Sequence, residues 1–225
     1  MKKIIAISML AATLAGSSAF GQGYFAFTGG KSQAWDGFTT PGTSVADASV
    51  DVAFLWATGT PTPSVDALLT TTPHTANSTT AESYTVAQAW SDILTDPNFH
   101  LAVDATTANA GNVAVAQTLA SPVGSVNYNS GFAFGVTGTT AGVTYSVFEI
   151  SWNSAFATPS TASTGGSAVG WGPVFSYVPA VQTGTAPSFT EADFGTFVPA
   201  AVPEPSTMAL AGLGSLAALL FRRKK

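Results

Sequence analysis

The chain has 225 residues, no cysteine, seven Lys+Arg against twelve Asp+Glu, and a formal net charge of −5 at pH 7. Without cysteine, disulfides and thiolate-ligated zinc are excluded, so the fold must rest on a hydrophobic core, for which about 180 residues suffice in one domain. The charge is unevenly spread: between residues 22 and 201 a single cation, Lys31, stands against eleven acids, a net charge of −10. That body cannot release counterions from a phosphate backbone, which excludes nucleic acid and anionic lipid headgroups as ligands and leaves neutral glycans, divalent cations or basic proteins.

The N-terminus reads as a secretory signal peptide. Lys2 and Lys3 form a positive start, residues 4–14 an apolar run, and Gly16, Ser17, Ser18, Ala19 and Gly21 a small-residue cleavage region. The run is too short and wrongly flanked for a stable span. Cleavage after Ala19 or Gly21 leaves small residues at −3 and −1, so residues 1–21 are assigned to the signal peptide.

Strand signals follow. Residues 23–28 alternate and stop at Gly29 and Gly30; residues 49–56 place Val50, Val52, Phe54 and Trp56 on one face. Residues 57–85 are rich in threonine and proline, which reads as a long solvated loop. Residues 83–95 predict a helix, with Val86, Trp90, Ile93 and Leu94 on one stripe, Asp92 and Asp96 on another, exposed face, and Pro97 as its stop.

Residues 99–103, 112–117 and 131–136 are shorter strand candidates. Residues 143–152 form the strongest, with apolar side chains on both faces, as a central strand requires. Residues 169–178 and 194–198 complete the set. Short strands separated by Gly, Asn, Ser, Thr and Pro clusters predict a mainly β fold: a single antiparallel β-sandwich, jelly-roll or Ig-like, over residues 22–201 with one short helix.

Chemistry-bearing patterns are sparse. His74, in the Thr-rich loop, and His100, on a strand candidate, read as one exposed and one half-buried side chain, and no Gly-x-Ser-x-Gly elbow is present. The local carboxylate pairs are Asp47 with Asp51, Asp92 with Asp96, and Glu191 with Asp193; Glu149 alone sits inside an apolar strand, where burial disfavours its charge. The spacing of an EF-hand loop is absent, and Asp36 and Asp104 stand isolated. No catalytic residue, metal site or cofactor is assigned, and no enzyme activity is expected. Of the five tryptophans, Trp171, between Gly170 and Gly172, and Trp35 are the candidates for exposed stacking against sugar rings, the others for core packing.

The C-terminus carries three properties in a fixed order. Pro203, Glu204 and Pro205 form a rigid motif, residues 207–221 an uncharged run, and Arg222, Arg223, Lys224 and Lys225 a basic end. Met208, Leu210, Leu213, Leu216, Leu219, Leu220 and Phe221 supply the apolar surface of a membrane anchor. At about 1.5 Å per residue the run reaches roughly 22 Å, short of a hydrocarbon core of about 30 Å, so spanning requires a thinned bilayer or snorkelling cations. The basic end stays cytoplasmic, which places the body outside, in agreement with the signal peptide.

Residues 202–225 resemble the PEP-CTERM sorting signal of Gram-negative bacteria that make extracellular polymeric matrix. The resemblance implies a short C-terminal transmembrane helix and recognition by an exosortase, a membrane-embedded cysteine transpeptidase that processes its substrates near the Pro-Glu-Pro motif. Body and tail together predict an inner-membrane-anchored precursor with a periplasmic body, delivered to the cell surface or extracellular matrix in a non-enzymatic role. A carbohydrate-binding module for extracellular polysaccharide is the second reading and a polysaccharide hydrolase the third. A concave surface with two or more exposed aromatics favours binding, and two carboxylates facing across a cleft favour hydrolysis.

Overall fold

A computed structural model describes residues 21–29, 34–36, 44–45, 50–68, 85–120, 123–189 and 194–195. The strands in chain order are β1 (Gly23–Phe25), β2 (Thr28–Gly29), β3 (Ala34–Asp36), β4 (Ser44–Val45), β5 (Val50–Thr58), β6 (His100–Leu101), β7 (Ala116–Ala120), β8 (Val123–Asn127), β9 (Phe134–Val136), β10 (Tyr145–Asn153), β11 (Val169–Trp171), β12 (Phe175–Tyr177) and β13 (Phe194–Gly195). Two α-helices, α1 (Val86–Leu94) and α2 (Pro159–Thr164), lie among them. The described fold is mainly β, and all but one of its strand pairings are antiparallel.

Two nine-residue strands, β5 and β10, organise the body. They pair antiparallel along their whole length, from Tyr145 opposite Thr58 to Asn153 opposite Val50. Apolar side chains on both faces force both faces to be covered, and each face has its own core. On one, Val50, Val52, Phe54, Trp56, Tyr145 and Val147 pack with Phe25, Phe134, Val136, Tyr177 and Phe189. The rings interlock: Phe25 stacks on Tyr177 at 4.8 Å and Phe54 meets Phe189 edge-on at 5.0 Å. On the other, Leu55, Phe148, Ile150 and Trp152 pack with Trp90 and Ile93 of α1, Ala162 of α2, and Val169 and Trp171 of β11. At about 1.5–3 kcal/mol for each fully buried large apolar side chain, these two layers hold together a body that has no disulfide.

The large sheet runs β11-β10-β5-β7-β8-β2, with β12 also on β10 and β6 also on β5. A β1–β9 ribbon supplies Phe25, Phe134 and Val136 to one core; β13, β3 and β4 form a separate three-stranded sheet. The long strand expected over residues 169–178 is two strands. Gly172 and Pro173 interrupt it: Pro173 has no N–H for a ladder, and the Gly172 N–H turns to the Glu149 carbonyl at 2.8 Å. The strand expected over residues 131–136 starts only at Phe134, and β8 and α2 were not expected at all. Helix α2 exists through its ends and its core contact. Thr158 caps it, accepting from Thr161 N at 3.2 Å; Pro159 opens it, and Ala162 is buried.

Helix α1 is shorter than expected because Thr85 caps it. The Thr85 hydroxyl accepts from Gln88 N at 3.2 Å while the Thr85 N–H donates to Gln88 Oε1 at 2.8 Å, a capping box. Trp90 and Ile93 are buried as the stripe predicts, whereas Leu94 is exposed. Asp96 corrects the expectation of an exposed acidic face: it lies beyond the helix, is buried, and accepts from Ser64 N at 2.6 Å, Asn98 N at 2.8 Å and Phe99 N at 3.3 Å. Burial alone would raise its pKa; these three donors outweigh that and lower it. Among the described residues no helix is long and apolar enough to cross a membrane. The signal segment and the C-terminal run over residues 207–221 lie outside the described residues.

Candidate functional site

Asp104, isolated in the sequence, ties two surface loops together. Its side chain is fully buried. Oδ1 accepts from the backbone of Thr106 at 2.8 Å and of Thr107 at 3.0 Å, and Oδ2 accepts from the Thr107 hydroxyl and from the Tyr128 hydroxyl at 2.7 Å. Burial works to raise the Asp104 pKa, but these donors prevail and lower it below the ordinary carboxylate value. The partner responds in the opposite sense: burial, and then the bond to Asp104, push the Tyr128 phenol up.

Tyr128 opens the second loop. It is buried, and its N–H donates to the Phe27 carbonyl at 3.0 Å. The next three residues all have positive φ: Asn129 at 51°, Ser130 at 56° and Gly131 at 85°. Consecutive non-glycine residues in the left-handed region cost on the order of 1 kcal/mol each and persist only where their surroundings hold them. Here the Phe132 N–H donates to the Asn129 carbonyl at 3.1 Å and Asn129 Nδ2 donates to the Phe132 carbonyl at 3.2 Å. The turn leaves Phe132 71% exposed, whereas Phe25, Phe27, Phe54, Phe134 and Phe148 are each at 0%.

Between the loops lies an open depression of about 570 Å³, lined by Tyr24, Thr106, Thr107, Asn129, Phe132 and Thr183 among others. A second, of about 530 Å³, flanks the same loop and is lined by Asn109, Asn112, Tyr128, Thr158 and Ser160 among others. Among the described residues neither lining includes an acid, and none is a Lys or Arg. The described lining therefore offers hydroxyls, amides and one well-exposed ring.

The tryptophan candidates fare differently. Trp171 is fully buried, contrary to the expectation from its glycine neighbours: on β11 it pairs with Ile150, faces the core, and its Nε1–H donates to Asp66 Oδ1 at 3.0 Å. The Trp35 side chain lies outside the described residues. Trp90 and Trp152 are core residues whose indole N–H groups donate to the carbonyls of Ser167 and Phe156, each at 2.6 Å. Trp56 is buried between Tyr145 and His100. His100 is exposed rather than half-buried, and His74 lies outside the described residues.

Two of the acids lie within the central strand pair. Asp51 is buried on β5, and burial pushes its pKa up to about 6; Glu149 is fully buried in the middle of β10. Asp47, Glu191 and Asp193 lie outside the described residues, and among those described no three His, Cys, Asp or Glu side chains group as metal ligands do. Sequence reasoning missed Phe132 and Asn129 because the alternation of residues 131–136 continues smoothly through Phe132. The Asn129-Ser130-Gly131 cluster immediately before it was the available turn signal.

Pro203, Glu204, Pro205, the apolar anchor residues and the four terminal cations lie outside the described residues, and for them sequence comparison is decisive. No curated protein and no solved structure matches the chain. Residues 201–224 match the family model of the PEP-CTERM protein-sorting motif. The three-part tail thus carries a PEP-CTERM protein-sorting motif, a signal that implies processing by an exosortase.

Proposed function

We propose that this is an exported envelope or extracellular-matrix protein with a structural, non-enzymatic role. The signal peptide carries it across the inner membrane, and the C-terminal helix holds the precursor with its body in the periplasm. An exosortase then processes it near Pro203-Glu204-Pro205 for delivery to the cell surface or matrix. The observation that carries this reading is the sorting motif at residues 201–224, whose rigid, apolar and basic parts follow in order. The body's net charge of −10 supports it by favouring solubility outside the cell. For the fold, the core between the β1–β9 ribbon and the β5–β10 sheet supports a sandwich-like arrangement.

The test is fractionation of Gram-negative cells that express an exosortase together with either the wild-type chain or a Pro203→Ala/Glu204→Ala/Pro205→Ala variant. The wild type should reach the surface or medium while the variant accumulates in the inner membrane. Recovery of both in the same compartment at the same mass refutes the sorting role of the motif.

A further inference from the structure

We propose that the depression beside Phe132 binds a neutral sugar ring of an extracellular polysaccharide. The inference stands on the geometry of the body and goes beyond the sorting reading. A phenylalanine left 71% exposed on a protein that buries its neighbours Phe27 and Phe134 completely gives up the free energy of burial. The strained turn at Asn129 and Ser130 adds a second local cost for the same presentation. Two costs at one spot, beside a depression, point to a ligand, one held by a single exposed ring with the half-buried Tyr24 beside it rather than by a strip of two or more exposed aromatics.

The lining says which kind. Phe132 offers an aromatic face to the C–H face of a sugar ring. The rim around it is polar and uncharged: Thr106, Thr107, Thr183 and the Asn129 amide. The Thr106 hydroxyl accepts from Gly135 N at 2.7 Å, which leaves its proton to donate to a ligand oxygen. The Asn129 amide nitrogen is engaged with the Phe132 carbonyl, which leaves its oxygen as an acceptor. Uronate, sulfate and phosphate groups find no cation among the described residues, and the net charge of −10 repels them. A cationic amine finds no acid among the described lining residues. An amphipathic, neutral, hydroxyl-rich ring fits what remains, and about 570 Å³ lies within the range of small-molecule sites. Openness on one side suits a polymer passing over the surface.

The site is also held in advance of binding. One buried carboxylate, Asp104, grips Thr106 and Thr107 on one wall and Tyr128 at the root of the other. Little ordering is then left for the ligand to impose.

The full-length protein in detergent micelles can be run by affinity electrophoresis through gels containing dextran, laminarin or galactomannan, with alginate as the polyanionic control. At least one neutral polymer should retard it and alginate should not. Phe132→Ala should weaken that binding at least about tenfold, as loss of a central aromatic anchor does, with Phe132→Trp retaining it and an unchanged melting temperature in both. Thr106→Val should weaken it several-fold. Retardation by none of the neutral polymers, equal retardation of wild type and Phe132→Ala, or alginate binding as tight as neutral binding would each overturn the proposal. The Pro203→Ala/Glu204→Ala/Pro205→Ala variant should bind like wild type, so failure of sorting and failure of binding are read separately.

Discussion

Replacing Asp51 with asparagine should stabilise the protein at neutral and alkaline pH. Asp51 is 8% exposed on β5, opposite Trp152 of β10 and Gln117 of β7. Burial moves its pKa from 3.8 to about 6. Because the folded value exceeds the unfolded one, the native state holds this proton more tightly than the unfolded chain does. The ionised carboxylate therefore penalises folding fully above pH 6; the penalty shrinks as pH falls from 6 towards 4 and is gone below the unfolded pKa. A shift of that size corresponds to about 3 kcal/mol, at 1.36 kcal/mol per unit. Asparagine has nearly the same shape and no charge, but its amide must also be desolvated, which costs about 1–2 kcal/mol. The expected net gain at pH 8 is about 1–2 kcal/mol, a rise of about 2–8 °C in Tm for a body of this size. Thermal unfolding of both proteins by circular dichroism from pH 4 to 8 measures it. The difference between variant and wild type should grow through pH 5–6.5 and level off above. A pH-independent difference, or one that grows on acidification, would refute the reasoning.

Asp104→Asn should act in the opposite direction. The lowered pKa of Asp104 means that its ionised form contributes stability above pH 4, lost as pH falls through the folded value, so the variant should lose about 2–4 kcal/mol at pH 7 in urea unfolding and much less at pH 3. Trp171→Ala should cost about 3–5 kcal/mol by opening a core cavity, whereas Trp171→Phe, which keeps much of the volume and loses the N–H to Asp66, should cost about 1–2 kcal/mol; near-neutral Trp171→Ala would contradict its burial.

What could be read from the sequence was what periodicity alone decides. Strand β10 was legible as a two-faced central strand, and Val50, Val52, Phe54 and Trp56 share one core as their spacing demands. Helix α1 was legible from Trp90 and Ile93. The misses share a physical cause: contacts between residues far apart in the chain. Glycine neighbours argue that Trp171 is exposed, but pairing with β10 and a bond to Asp66, 105 residues away, place it in the core. Asp104 looks isolated because its partner Tyr128 arrives from another loop. Strand β8, with Gly124, Ser125 and Asn127, has the composition of a turn and forms because β7 and β2 flank it. The Phe132 site escaped for a further reason: its side chain has the right identity for a strand and the wrong backbone before it. The sorting motif of the tail was legible, since its message lies in local order and needs no tertiary partner.

The central claim is that the tail is an address removed on delivery. The most direct test is the intact mass of the protein recovered from outside the cell, with and without a functional exosortase in the host. With it, the mature chain should begin after Ala19 or Gly21 and end near Pro203-Glu204-Pro205, and without it no such species should be released. A released chain that still ends at Lys225 would contradict the account.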